Sequence, residues 1–294
     1  MLLPTLSMIL RMAVKAAGLS RWGADDTTIV LAYCVTLGFI SADMLWESYG
    51  LGKDLWTLSS DQITSFFQDF YILQCLYNCV ITLVKTSILF MFLRIFPDQK
   101  FRLVVWATQI FNLTVGVIFL LISLFQCRPI NLAWRFWTGE NDGQCISIGH
   151  VGMVQGTIYV LMDVWMLILP ATQVWGLNMK RRKKFAVMFM FSLGLFLTVV
   201  SIIRIVTIKD LSKYPLNPTV AIIPAGIWTN IEVYVAVFTA NIPNIRQFIW
   251  GFIIRRSEKE GITETEPEAS HEKSPRRPPK TLTMELNETM DQTP

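Results

Sequence analysis

Five acidic or basic residues lie inside or at the edge of long apolar stretches of the sequence, where a charge is costly. They are Lys85, Asp163, Arg204, Glu232 and, near the end of its stretch, Asp43. A charge at the centre of a bilayer costs about 2.5 to 3.5 kcal/mol on insertion scales, so such residues face the interior of a helix bundle and find partners. The spacing of these residues from the ends of their stretches predicts an intramembrane charge network. We expect Lys85 to pair with Asp163, and Arg204 to pair with Glu232 or Asp43.

Two roles fit such a network. Paired charges can simply hold helices together, because removing one partner leaves the other buried and unpaired. The same groups can instead form the floor of a ligand cavity or relay a conformational change. Both roles stay open from the residues alone.

Two of the five cysteines bracket one connecting loop, CRPINLAWRFWTGENDGQC, which contains Cys127 and Cys145 with 17 residues between them. A loop on the outer side of a membrane lies in a compartment that permits oxidation, which favours a disulfide between these two residues. Two free thiols, or a bond from the loop to another helix, are the alternatives. Trp134 and Trp137 suit a lid at the membrane interface, where tryptophan is enriched.

Motifs of soluble enzymes are missing. The sequence contains no GxxxxGK[ST], HExxH, GxSxG or CxxC pattern, and its two histidines are His150 and His271. We therefore assign no catalytic residue and expect no metal site.

The elements that carry the charged residues are membrane helices. Hydrophobic residues make up 52% of the 294 residues and charged residues 16%, against about 25% charged in soluble domains. Runs near or above the roughly 20 apolar residues that cross a bilayer occur in six places. They cover residues 27–47, 66–93, 103–126, 151–175, 185–207 and 221–243. The sequence thus predicts an all-α, polytopic membrane helix bundle with six secure spans.

The amino-terminal segment, residues 1–19, is shorter than a span. Its apolar part, MLLPTLSMIL, meets Arg11 and Lys15 soon after it begins. A signal peptide fits poorly, because no basic region precedes the apolar part and no small-residue cleavage site follows it. We predict a short, tilted or truncated first helix, which gives a seven-helix topology with the main bundle at residues 20–254.

Lysine and arginine concentrate in alternate connections. They lie between Arg11 and Arg21, between Arg94 and Arg102, at residues 180–184 and after Arg246. By the positive-inside rule this set is cytoplasmic, so the net charge of +4 indicates attraction to the inner leaflet of a lipid bilayer and no nucleic-acid partner. Residues 255–294 are charged and poor in aromatic residues, which predicts a disordered cytoplasmic tail.

Several short motifs follow one another along residues 20–250. They are WGADD (22–26), YGLGKDLW (49–56), LVKTSILFMFLRIF (83–96), CRPINLAW (127–134) followed by Cys145, DVWMLILP (163–170), GLNMKRRKK (176–184), Gly194 with Arg204, and WTNIE (228–232) with Pro243. In this order they resemble the fungal rhodopsin-like-domain integral membrane proteins. That family includes receptor-like surface sensors and a member first named from a satratoxin biosynthesis cluster.

The resemblance implies a receptor-like bundle of seven helices. The chain departs from the family pattern at Asp54, where members commonly have histidine, and at Tyr159, where they often have asparagine. A retinal Schiff base needs a lysine deep in the last helix, and residues 221–250 contain none. We therefore expect no retinal and no other cofactor.

Three classes of function follow. The favoured class is a receptor-like, non-retinal sensor in the plasma membrane, with a small hydrophobic ligand and a G protein at the cytoplasmic basic loops. The second is a membrane-embedded enzyme or accessory protein of a fungal secondary-metabolite pathway, in which Asp163 or Glu232 donates a proton. The third is a transporter, which the lack of internal repeats disfavours.

Overall fold

Seven helices make up most of the part of the chain that the computed structural model describes, which is residues 2–18, 20–139, 143–175, 181–211 and 217–242. They are α1 (Leu2–Ala16), α2 (Ala24–Ser48), α3 (Ser60–Ile95), α4 (Gln99–Leu124), α5 (Ile148–Trp175), α6 (Arg181–Leu211) and α7 (Pro218–Ile242). Helices α2 to α7 contain six segments that are long and apolar enough to cross a membrane. The predicted all-α, polytopic fold is therefore confirmed. The predicted tail, residues 255–294, lies outside the described residues, as do residues 176–180 of the basic loop and Pro243.

Helix α1 is short. Its 15 residues extend about 22 Å, which is less than the ~30 Å apolar core of a bilayer. One face exposes Leu2, Leu3 and Leu6, while the opposite face buries Arg11, whose exposed fraction is 1%. The arginine that interrupts the apolar run is thus turned into the bundle.

Helix α3 packs against both α2 and α4. It begins at a capping box in which the Ser59 hydroxyl accepts from the Gln62 backbone N–H and the Gln62 side chain accepts from the Ser59 N–H. The helix begins at Ser60, six residues before the predicted span. The prediction missed these residues because the first turns of α3 are polar and an apolar run does not include them. The helix ends at Ile95, just before Pro97, and its 36 residues extend about 54 Å.

Glycines allow close approach between neighbouring helices. A Cβ on Gly116 of α4 would meet the Thr82 side chain of α3 at 2.5 Å, and one on Gly156 of α5 would meet Ile205 of α6 at 2.6 Å. Such distances leave no room for a methyl group. Small residues at these contacts are typical of membrane helix pairs, where packing supplies much of the association energy.

The loop between α4 and α5 is tied at its base. Strand β1 (Cys127–Arg128) pairs antiparallel with strand β2 (Gln144–Cys145), and a disulfide joins Cys127 to Cys145. Of the three arrangements that the sequence allowed for these thiols, the structure contains the bond within the loop.

The same loop packs on α3. The Trp134 ring lies 5.7 Å from the Tyr71 ring, and the Phe136 ring lies 4.7 Å from the Phe67 ring. Trp134 therefore contacts protein, and the position of this loop at the membrane interface stays a prediction. Within the described residues the loop covers the end of the bundle at which α3 begins.

Candidate functional site

The first buried ion pair joins α3 to α5. The Lys85 Nζ atom lies 2.8 Å from Asp163 Oδ1, and the two side chains are 7% and 18% exposed. The ammonium also donates to the backbone carbonyl of Tyr159 at 3.0 Å and lies 4.9 Å from the centroid of the Tyr159 ring. Asp163 and Tyr159 are one helical turn apart, so one face of α5 offers both acceptors. The lysine is thus satisfied inside the bundle without reaching a membrane surface.

The second buried ion pair joins α6 to α7 and is held by α3. Arg204 Nε lies 2.8 Å from Glu232 Oε2, and the guanidinium carbon lies 4.6 Å from the centroid of the Tyr77 ring. The Tyr77 hydroxyl donates to Glu232 Oε2 at 3.0 Å, and the Ser201 hydroxyl donates to Oε1 at 2.6 Å. Glu232 therefore binds groups from α3 and α6 at once.

The Arg204 guanidinium is only partly satisfied. Its Nε contact with Glu232 is close, but the N–H is too poorly aligned to count as a hydrogen bond, and Nη2 has no hydrogen-bond partner among the described residues. A Cβ at Gly156 would lie 3.5 Å from Nη2, so this glycine leaves space beside the guanidinium. Arginine has five N–H donors, so the Nη2 group of Arg204 is available to a further acceptor.

Neutral polar side chains lie between α3, α4 and α5 beside the Lys85–Asp163 pair. The Tyr159 hydroxyl and the Gln155 amide both donate to Asn78 Oδ1, the latter at 3.1 Å, and Asn78 Nδ2 donates to the Gly116 carbonyl at 2.9 Å. Asp163 interacts electrostatically with Arg204 and Glu232 as well as with Lys85. We call this set the polar core. Its members are Tyr77, Asn78, Lys85, Gln155, Tyr159, Asp163, Ser201, Arg204 and Glu232.

The prediction that Asp43 belongs to this network is wrong. Both Asp43 oxygens accept from the Asn230 amide, at 3.1 and 3.0 Å, and Asp43 forms no ion pair with any described residue. The reason lies in the rotation of side chains about the axis of α7. Asn230 and Glu232 are two residues apart, so their side chains point about 200° apart. Asn230 therefore faces α2 while Glu232 faces Arg204.

A second cluster of charges, which the sequence had not singled out, joins α1, α2 and α3. Arg11 Nη2 lies 2.8 Å from an oxygen of Asp25 and 2.8 Å from an oxygen of Asp26. Lys15 Nζ lies 2.6 Å from Asp26, and Arg94 Nη1 lies 3.2 Å from Asp25. These five residues form the basic cluster, and the end of the bundle that they occupy is called the basic end.

The basic cluster also reaches α7. Arg11 Nη1 donates to the Ala240 carbonyl at 3.1 Å and to Asn241 Oδ1 at 3.2 Å, and Ser87 donates to the Asp25 carbonyl at 2.8 Å. Arg11 and Arg94 had served only as markers of membrane orientation. Two adjacent aspartates at the start of an apolar helix are costly unless paired, which is the signal that points to this cluster.

The arrangement suits coupling between helices. Within the part of the chain that the structure describes, no group of three or more histidine, cysteine or acidic side chains could hold a metal ion. Instead α3 supplies Tyr77 and Lys85 to the polar core and Arg94 to the basic cluster. One helix therefore contributes side chains to both sets of charges.

Comparison with known proteins identifies the family. Residues 10–250 match the model of the fungal rhodopsin domain. A SAT4 family membrane protein of Emericella nidulans is 28% identical over 172 residues, which cover 56% of this chain and 43% of that protein. Receptor GIN3 of Arthrobotrys oligospora is 27% identical over 188 residues, which cover 63% of this chain and 44% of the receptor.

A further relative is the satratoxin biosynthesis SC1 cluster protein 4 of Stachybotrys chartarum. It is 23% identical over 172 residues, which cover 57% of this chain and 60% of that protein. The chain spans about half the length of these curated relatives, and no solved structure matches it. Because the family match runs through all six membrane-spanning helices, the chain is a multi-pass membrane protein that belongs to the fungal rhodopsin domain family.

Proposed function

We propose that the protein is a receptor-like sensor without retinal, located in the plasma membrane with its basic end and carboxyl tail in the cytoplasm. It binds a small ligand in the half of the bundle away from the basic end. Binding then changes the cytoplasmic surface through α3. The observation that carries the proposal is that α3 takes part in ionic contacts at two positions along its length. These are the buried Lys85–Asp163 pair and the contact of the exposed Arg94 with the buried Asp25.

The mechanical argument rests on the spacing of these contacts along α3. Tyr77 and Arg94 are 17 residues apart, or about 25 Å along a continuous helix. A rotation or shift of α3 that disturbs Tyr77 or Lys85 in the polar core also moves Arg94 and Ser87 in their contacts with Asp25. Exchange of ionic partners between packed elements is one known basis of such switching, and the Nη2 group of Arg204 is available to a further acceptor.

A G protein is the proposed cytoplasmic partner. The basic loops supply a positively charged surface by sequence, and one relative is named a receptor. The absence of lysine from residues 221–250 supports a sensor that responds to a ligand and not to light through retinal.

Nucleotide exchange tests this proposal. The full chain is reconstituted into lipid nanodiscs with a fungal Gα subunit, and binding of a non-hydrolysable GTP analogue is measured across a panel of small amphipathic ligands. We expect at least one ligand to accelerate exchange with the wild type but not with Glu232→Gln. Unchanged exchange across the panel, with correctly folded protein, would contradict the proposal.

A second candidate is an accessory protein or enzyme of secondary metabolism. One relative is named for a biosynthesis cluster, and Asp163 is a partly exposed acid inside the bundle. A deletion strain should then lose a metabolite that wild type restores and Asp163→Asn does not. An unchanged metabolite profile would remove this candidate.

A further inference from the structure

Two carboxylates without a cation lie together in the half of the bundle away from the basic end. Asp69 of α3 is 6% exposed, and its Oδ2 atom has no hydrogen-bond partner among the described residues. Asp43 lies one helical turn before Trp46 on α2, and the Trp46 ring stacks on Phe66 and Phe70, which flank Asp69 on α3. The negative charges of Asp43 and Asp69 repel each other, and Glu47 adds a further negative charge beside Asp43. We call Asp43 and Asp69 the acidic pair. In the described part of the chain, neither member forms an ion pair.

Trp46 supplies an independent unsatisfied group at the same contact. It is 3% exposed, and its indole nitrogen is buried with no hydrogen-bond partner among the described residues. Its ring stacks on Phe66 at 5.3 Å and on Phe70 at 5.8 Å. These two phenylalanines stand three residues before and one residue after Asp69, so the tryptophan lies against the turn of α3 that carries the aspartate.

A third helix contributes another free acceptor. Asn230 of α7 donates through its amide nitrogen to both oxygens of Asp43, at 3.1 and 3.0 Å. The side-chain oxygen of Asn230, Oδ1, is buried and has no hydrogen-bond partner among the described residues. The contact between α2, α3 and α7 therefore holds two carboxylates and an amide oxygen beside aromatic rings.

This environment is complementary to an organic ammonium ion. A buried carboxylate is strongly unfavourable unless it is paired. A primary ammonium has three N–H donors, so it can bind carboxylate and amide oxygens from several helices at once, and aromatic faces attract cations.

We infer that the acidic pair is the ligand site of the protein and that the ligand is a small organic molecule with a primary ammonium group. The ammonium lies between Asp43 and Asp69, and the apolar part of the molecule packs on the aromatic side chains around Trp46. Glu47 is exposed and Asp43, one helical turn earlier on α2, is half-buried, so negative charge extends from the surface into the bundle along this helix. The inference names a ligand class for the proposed sensor. Binding at this site does not depend on the proposed function, but the effect of binding on nucleotide exchange does.

Binding is measured on the full chain in nanodiscs, with phenethylammonium chloride as the probe. The wild type should show a thermal midpoint that rises with probe concentration. Tetramethylammonium, which has no N–H donor, and sodium chloride at equal ionic strength should produce little or no rise. The uncharged analogue 2-phenylethanol should also fail to stabilise the protein.

Two variants assign the effect to the site. Asp69→Asn should weaken phenethylammonium binding at least tenfold, and its midpoint without probe should equal or exceed that of wild type, because an unpaired carboxylate is removed. Asp61→Asn, which neutralises an exposed acid in the first turn of the same helix, should bind as wild type does.

Several results would overturn the inference. These are no midpoint shift at millimolar phenethylammonium, an undiminished shift in Asp69→Asn, or an equal shift with tetramethylammonium or sodium chloride. Binding that depends on Asp69 but never alters nucleotide exchange would leave this site standing and contradict the sensor. Ligand-dependent nucleotide exchange, without phenethylammonium binding that depends on Asp69, would support the sensor and contradict this site.

Discussion

Replacing Lys85 with methionine removes the cation of the α3–α5 pair and leaves Asp163 without one. Removing one partner of a buried ion pair typically costs about 3 to 5 kcal/mol of unfolding free energy. Asp163 is 18% exposed while Lys85 is 7% exposed, so some of the carboxylate charge is screened. We therefore expect a loss near the lower limit, about 3 kcal/mol.

Asp163→Asn in the Lys85→Met background should restore part of this loss. The double variant carries no buried charge at the pair, so the uncompensated carboxylate disappears. We expect it to be more stable than Lys85→Met alone by at least about 1 kcal/mol, within the usual range for residues in contact. Equilibrium unfolding of the purified protein in mixed micelles and surface abundance in cells measure the effect.

The control is Lys53→Met, which removes an exposed lysine from the loop between α2 and α3. It should unfold as wild type does. Additive losses in the double variant would mean that the two charges do not interact. If Lys85→Met unfolds normally but signalling disappears, the pair acts in function and not in packing.

Three further substitutions test helix packing, the basic cluster and the disulfide loop. Gly156→Ala would place a Cβ 2.6 Å from a side chain of α6 and should cost about 1 to 3 kcal/mol. Gly152→Ala, whose Cβ meets nothing nearer than 3.6 Å, should not destabilise, and equal losses would refute the packing argument. Arg11→Met should cost about 3 to 5 kcal/mol in the same unfolding assay, whereas Arg21→Met, at an exposed position, should not; a stable Arg11→Met would contradict the role of the cluster. Cys127→Ser should cost about 2 to 4 kcal/mol, and reduction of wild type should give the same loss; unchanged unfolding in both would show that the bond is dispensable.

Position along a membrane helix can be predicted from sequence, because the bilayer fixes the length of a span. This is why counting residues from the loop ends led to the expected pairing of Lys85 with Asp163, whose Nζ and Oδ1 atoms lie 2.8 Å apart in the structure. The six spans follow from the same principle. The observed helices differ from the predicted spans mainly where polar turns, such as the one after Ser59, extend a helix beyond its apolar run.

Rotation about the helix axis is harder to predict. Asp43 has a suitable depth for Arg204, but it lies on the α2 face that meets Asn230. Asp69 was not singled out, because it lies three residues inside a predicted span and resembles an edge residue. Neither the pairing of Arg11 with Asp26 nor the burial of both can be read from the chain, since these depend on how α1 packs against α2.

Coupling along α3 can be measured without a ligand, by hydrogen–deuterium exchange of the full chain in nanodiscs. Glu232→Gln weakens the polar core, and the peptide that covers the first turn of α2 reports on the basic cluster. If α3 joins the two sets of charges, this peptide should exchange several-fold faster in Glu232→Gln than in wild type. It should exchange at the wild-type rate in Gly152→Ala, whose Cβ meets nothing nearer than 3.6 Å. Unchanged exchange of this peptide in Glu232→Gln, with faster exchange confined to α6 and α7, would contradict the coupling on which the proposed sensor depends.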